Sequence, residues 1–91
     1  MEEKFKLNDN IDVFVNENHR FGTDAVLLAH FAAPFPNMTV CDLCTGCGII
    51  PLYFCKSKPP KRIYGVELQT EAAELFRKGI KENGLEDRVF S

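Results

Sequence analysis

Apolar and polar residues alternate around Phe5 to Leu7 and again over Ile11 to Val15, with Asn8-Asp9-Asn10 between the two stretches. Alternation interrupted by turn-forming residues predicts a small hairpin. Asn16 to Arg20 is polar and irregular. The period then changes: Ala25, Leu28, Ala29 and Ala32 recur on one face of a predicted helix that Thr23 or Asp24 can cap and Ala33-Pro34 ends. After Pro34-Phe35-Pro36-Asn37, nearly every residue from Thr39 to Leu43 is apolar or small, which predicts a strand buried on both faces.

A glycine turn at Gly46 and Gly48 leads into a helix predicted from Ile49 to Cys55. Pro51 is tolerable there because it falls in the first turn, where no intrahelical N–H is needed. Lys56-Ser57-Lys58-Pro59-Pro60-Lys61 reads as an exposed basic connector, and Arg62 to Glu67 as a second strand. Thr70 is placed to cap the next helix, with Glu71 at its positive end and Ala72, Phe76, Gly79 and Ile80 as its buried stripe. Glu74 faces Lys78 at i,i+4, and Asn83-Gly84 stops the helix. Arg88-Val89-Phe90 opens a third strand.

This order predicts an α/β fold: the first half of a Rossmann-like doubly wound parallel sheet, preceded by a small N-terminal hairpin and helix. Residues 1–36 form the hairpin and helix; residues 37–91 form a partial domain truncated at the third strand. The first strand of such a sheet is central, so without a second half Thr39 to Leu43 is left as an apolar, unpaired edge. The expectation is a fragment, or a chain whose partner strand comes from another chain, with self-association through that edge as one form.

Composition narrows the class. With 91 residues, 45% apolar and 26% charged, the chain is one small globular domain at most. A net charge of −2 gives no overall basic footprint, so a nucleic-acid partner would need a local patch or segments outside this chain. No apolar run approaches the ~20 residues of a membrane span. Met1-Glu2-Glu3-Lys4 does not open a signal peptide, so a cytoplasmic location without a membrane partner is expected. Cys41, Cys44, Cys47 and Cys55 overlap the start of a ferredoxin cluster run, but the fourth comes too late and precedes no proline. They read as small, buried, reduced thiols beside a tight turn, with no metal site.

The candidate chemistry lies in Val40 to Pro51 and at Glu67. A short strand ending in Asp42-Leu43, then Gly46 and Gly48 at a helix start, lets backbone N–H groups approach a ligand at the helix's positive end. Glu67, closing the next strand, can accept both hydroxyls of a ribose. The predicted ligand is a nucleoside. The spacing D-L-x-x-G-x-G, rather than G-x-G-x-x-G, speaks against a nicotinamide-dinucleotide fold.

Val40-Cys41-Asp42-Leu43-Cys44-Thr45-Gly46-Cys47-Gly48 resembles the nucleotide turn of class I S-adenosylmethionine-dependent methyltransferases, and Tyr64-Gly65-Val66-Glu67-Leu68 resembles their second signature. His19 to Ala29 is similar to the F-G-T-D-A-x-L-L-A stretch of bacterial tRNA adenine-N6 methyltransferases that modify a valine tRNA beside the anticodon. Gly48-Ile49-Ile50-Pro51-Leu52 and Lys81-Glu82-Asn83-Gly84-Leu85 fit the same group.

The resemblance implies S-adenosyl-L-methionine as cofactor, with Asp42 near its methionine end, Gly46 and Gly48 under its backbone, Glu67 on the ribose and Leu68 against the adenine. Arg20, Phe21, Gly22, Thr23 and Asp24 would form a loop over the methionine moiety, making residues 1–36 part of a lid. Cys44 stands where the family usually has its first glycine. Structural alternatives stay open: Asp42 satisfying turn amides, Glu67 as a solvated strand end, Thr23-Asp24 as a helix cap. The implied reaction is direct displacement, adenine N6 attacking the sulfonium methyl. The family's N-P-P-Y tetrapeptide is absent from these residues, so no catalytic residue is assigned and tRNA would be engaged through a C-terminal half. The alternative is a non-catalytic nucleoside-binding fragment or subunit that needs a partner chain. Lys56, Lys58, Lys61 and Arg62 read as a solvated connector rather than an RNA patch.

Overall fold

The computed structural model describes residues 1–91. Strands β1 (Glu3–Lys6) and β2 (Asp12–Val15) form an antiparallel hairpin, with Glu3 opposite Val15 and Lys6 opposite Asp12. Asn8 sets its turn, its Oδ1 accepting from the amides of Asn10 and Ile11 at 2.9 Å each. Helix α1 (Thr23–Ala32) leads to β3 (Thr39–Leu43), α2 (Ile49–Phe54), β4 (Arg62–Val66), α3 (Thr70–Glu82) and β5 (Val89–Phe90). The three later strands form a parallel sheet ordered β3-β4-β5, with Leu43 level with Val66 and Tyr64 with Phe90.

Helices α2 and α3 cover one face of this sheet. Phe54, Phe76 and Ile80 pack on Ile63 and Val89 there, with Ala29 of α1 joining them. A second cluster joins Val13, Phe14 and Val15 of β2 to Cys47 in the glycine turn, Ile49 and Leu52 of α2 and Leu75 of α3. The hairpin is thus bound into the core beside the turn. Asn83 secures it further: its Oδ1 accepts from the Asp12 amide at 2.9 Å, and its Nδ2 donates to the carbonyls of Asp12 and Gly79 at 2.7 Å each. Gly84, at φ +67°, completes the end of α3.

Several local expectations are corrected. Strand β3 is not buried on both faces: only Val40 and Asp42 are partly covered, and Leu43 is 71% exposed. The reason is that no element covers the sheet face holding Thr39, Cys41 and Leu43; the central β4 shows the same alternation of exposed and buried residues. On α1 only Ala29 of the expected face is buried; Leu28 and Ala32 face outward. Thr23, Asp24 and Thr70 cap nothing through their side chains, because the caps are Gly22 and Gln69 and no side-chain bond forms at either. Lys78 pairs with Glu2 instead of Glu74, since the hairpin brings Glu2 within its reach. Cys47 is buried and Cys55 half-buried, but Cys41 and Cys44 are exposed, the first on the uncovered sheet face and the second in the turn. No helix is long and apolar enough to cross a membrane.

Candidate functional site

The C-terminal ends of β3 and β4 lie side by side, which brings the two predicted motifs together. The Thr45 amide donates to the Val66 carbonyl at 2.9 Å, extending the strand pairing into the turn. One residue on, the Gly46 amide donates to Glu67 Oε1 at 2.8 Å, while the Gln69 amide donates to Oε2 at 2.9 Å. Each Glu67 oxygen therefore has one lone pair engaged and another left for a ligand hydroxyl. These amide bonds hold the Glu67 carboxyl below its ordinary value, with a smaller contribution from His19, so it stands as a fixed, ionised acceptor. Leu68, 95% exposed, projects beside it.

Asp42, one residue before the end of β3, is partly buried. Its Oδ2 accepts from the Thr45 hydroxyl at 2.6 Å. Burial raises its carboxyl above the ordinary value, and the hydroxyl bond offsets part of that rise. Thr45, itself buried, was not singled out from the sequence; the Asp42-x-x-Thr45 spacing, a side-chain bond across one turn, was the available signal.

The glycines divide their work. Gly46 sits at φ +62° with nothing within 4 Å of where a Cβ would stand, so its backbone faces open space next to Glu67. Gly48, at φ +89°, is packed instead: a Cβ there would lie 2.1 Å from Cδ1 of Phe76. A Cβ on Gly65 of β4 would meet the same ring, 2.4 Å from Cε2. Phe76 thus fills a slot that exists only because both positions are glycine. Cys44 adopts φ +58°, the left-handed region expected of the glycine it replaces, at a cost on the order of 1 kcal/mol.

The Arg20 to Asp24 segment is held near the turn but makes no hydrogen bond to Glu67, whose partners are Gly46 and Gln69. Arg20 Nη1 pairs with Glu3 Oε2 at 3.1 Å, and Phe21 meets Phe5 edge-on with centroids 5.1 Å apart. Phe21 also packs against the cluster containing Cys47 and Ile49. A Cβ at Gly22 would lie 2.7 Å from Asp24 Oδ1, the tip of an exposed side chain that can swing aside, and its φ of −109° suits any residue; Thr23 and Asp24 are exposed. His19, also outside the expected set, approaches Glu71 Oε1 at 3.5 Å at the start of α3.

Residues 4–91 match the family described as the methyltransferase small domain. The chain belongs to that family. This methyltransferase domain is 34% identical over 74 residues to a tRNA1(Val) (adenine(37)-N6)-methyltransferase of Porphyromonas gingivalis, covering 77% of this chain and 29% of the relative. Among solved structures it resembles Methanocaldococcus jannaschii Trm5 in complex with adenosine (TM-score 0.75, 24% identity, 97% of this chain and 28% of that one). It also resembles M. jannaschii TYW2 in complex with AdoMet (TM-score 0.79, 20% identity, 98% of this chain and 42% of that one). The methyltransferase resemblance and the α/β parallel fold are both borne out. The domain spans less than half the length of each of these relatives.

The four thiols give a direct check on the turn. Burial raises the Cys47 thiol, and pushes Cys55 up to about 11 against a smaller opposing effect of Arg88. At pH 8 a disulfide reagent is expected to modify Cys41 and Cys44 fast and Cys47 and Cys55 slowly, because the thiolate is the reactive form. Four equally fast thiols would mean that the Cys47 turn is not packed as described.

Proposed function

We propose that this methyltransferase domain is the S-adenosylmethionine-binding part of an enzyme that methylates adenine N6 of tRNA. The observation that carries the reading is the Glu67 carboxylate, fixed at the sheet's end by the Gly46 and Gln69 amides with acceptor capacity to spare. A ribose diol needs two aligned acceptors, and a carboxylate held at both oxygens supplies them without further ordering. Leu68 offers an apolar surface for the adenine, the open backbone at Gly46 allows close approach, and Asp42 faces the methionine end. The Arg20 to Asp24 segment closes over that end. The bound cofactor supplies an already activated methyl group. The residues of this chain bind and orient; those that would hold the target amine are not among them.

The relative from P. gingivalis supports a tRNA substrate and the adenine-N6 position. Calorimetric titration with S-adenosylhomocysteine tests the cofactor assignment: saturable one-to-one binding is expected, and an absence of heat at millimolar ligand would overturn it. Transfer of labelled methyl groups to unmodified tRNA by these 91 residues alone is not expected.

A second reading, that the domain works only with a further polypeptide, is favoured by the open sheet face. Parallel sheets are ordinarily covered on both sides, yet Leu43, Tyr64 and Val66 are exposed on one and β3 has a free edge. The further polypeptide could be a second copy paired along β3. Sedimentation equilibrium decides that form, because a monomer at high concentration excludes it.

A further inference from the structure

At the opposite end of the sheet from Glu67, a groove of about 420 Å³ opens between the C-terminal ends of α1 and α2 and the connector into β4. Its walls include His30, Tyr53, Lys56, Ser57, Lys58 and Pro60, and none of its lining residues is acidic. That is unusual in a chain of net charge −2. Between Leu43 and Val66 the sequence carries Lys56, Lys58, Lys61 and Arg62 and no aspartate or glutamate. None of these four cations is paired: the ion pairs of the chain use the N-terminus, His19, Arg20 and Lys78.

The connector is also better anchored than a solvated loop. Pro60 is fully buried and its carbonyl accepts from Arg88 Nη1 at 2.6 Å; the Lys61 amide donates to the Met38 carbonyl at 2.9 Å. At the other end Asn8 Nδ2 donates to the Lys56 carbonyl at 3.3 Å. Lys56 Nζ lies 4.6 Å from the Tyr53 ring centroid, and the Tyr53 hydroxyl is 3.3 Å from His30 Nδ1. The exposed ammonium groups are therefore carried on a fixed backbone around an aromatic wall. The helix C-termini that face the groove oppose an anion. Much of that effect is quenched, because the carbonyls of Ala29, Leu52 and Tyr53 already accept from the amides of Ala33, Cys55 and Lys56.

We propose that this groove docks the phosphate backbone of an RNA, with Lys56 and Lys58 as the phosphate contacts. The choice of RNA among polyanions rests on the tRNA-directed reading above; the groove itself does not. Strand β4 separates it from Glu67 by about 16 Å at ~3.3 Å per residue. A tRNA held there would engage the domain at a point remote from the cofactor, adding affinity without touching the reacting atoms.

Fluorescence anisotropy with labelled, unmodified valine tRNA across a salt series tests this. Lys56→Glu/Lys58→Glu is expected to weaken binding at least about tenfold and to reduce the salt slope by roughly two, as for two lost phosphate contacts. Lys4→Glu/Lys6→Glu, the same charge change on the exposed β1, is expected to alter it less than about twofold at a similar ionic strength. If the glutamate pair disturbs folding by circular dichroism, Lys56→Gln/Lys58→Gln is read instead and should act in the same direction. Equal loss in the β1 control, or no tRNA binding by the wild type at low salt, overturns the proposal. S-adenosylhomocysteine binding, measured on the same samples, should be unchanged by the groove variants. Its absence in a wild type that binds tRNA at the groove would sink the cofactor reading and leave this one standing.

Discussion

Replacing Phe76 with alanine is expected to destabilise the domain by about 3–5 kcal/mol, a large share of the roughly 5–15 kcal/mol that keeps a domain folded. The ring is fully buried, and it is the body against which Gly48 and Gly65 are both packed. Removing it leaves a void bordered by the glycine turn, β4 and α3 together, three elements that cannot all relax toward one another. Urea denaturation measures the loss. The companion variant Gly48→Ala should itself cost about 1–3 kcal/mol by overpacking, in addition to the strain of a side chain at φ +89°. In the double variant the new methyl enters the space that the ring vacated, so the combined cost should fall short of the sum. Strict additivity would show that the ring and the turn do not share the slot.

Glu67→Gln is expected to weaken S-adenosylhomocysteine binding by about 10- to 100-fold, the range spanned by losing a charge-assisted hydrogen bond worth about 1.5–3 kcal/mol. Glutamine keeps the shape but not the chemistry. Two backbone donors face the two Glu67 oxygens, so either amide orientation sets an N–H against an N–H. The variant thus loses an acceptor for the ribose and loosens the contact between the glycine turn and the end of β4. Affinity within about twofold of wild type, by calorimetry at neutral pH, would remove Glu67 from the site.

The pH response of the two strand-end carboxyls has opposite signs. The folded pKa of Glu67 is depressed, so its contribution to stability is present above the unfolded value near ~4.3 and is lost as pH falls through the folded value. Asp42 is raised by burial, so ionising it works against folding, and acidification through its folded value relieves that cost. Ligand affinity should follow Glu67 and decline on the acid side.

The hairpin, the helix starts and stops, and the order of strands and helices along the chain were legible because they rest on local period and turn chemistry. Asn8-Asp9-Asn10 turns where expected, and Asn83-Gly84 ends α3 where expected. Exposure along β3 was not legible. Thr39 to Leu43 has the composition of a doubly buried strand, and only the lack of an element over one sheet face leaves alternate residues uncovered, on β3 as on the central β4. Helix caps failed for a related reason: threonine and aspartate are permissive for capping, but the backbone entering each helix chose Gly22 and Gln69.

By itself the sequence determined the order of elements, the left-handed turn after β3 and the presence of an acid at the end of β4, since each follows from residue type and short-range spacing. Tertiary structure alone decided that Gly46 serves the Glu67 carboxylate whereas Gly48 makes room for Phe76. It likewise decided that the basic connector is pinned around a groove rather than spread in solvent. The physical reason is distance along the chain: these relations join residues about twenty or more positions apart, which no local period encodes and only packing brings together.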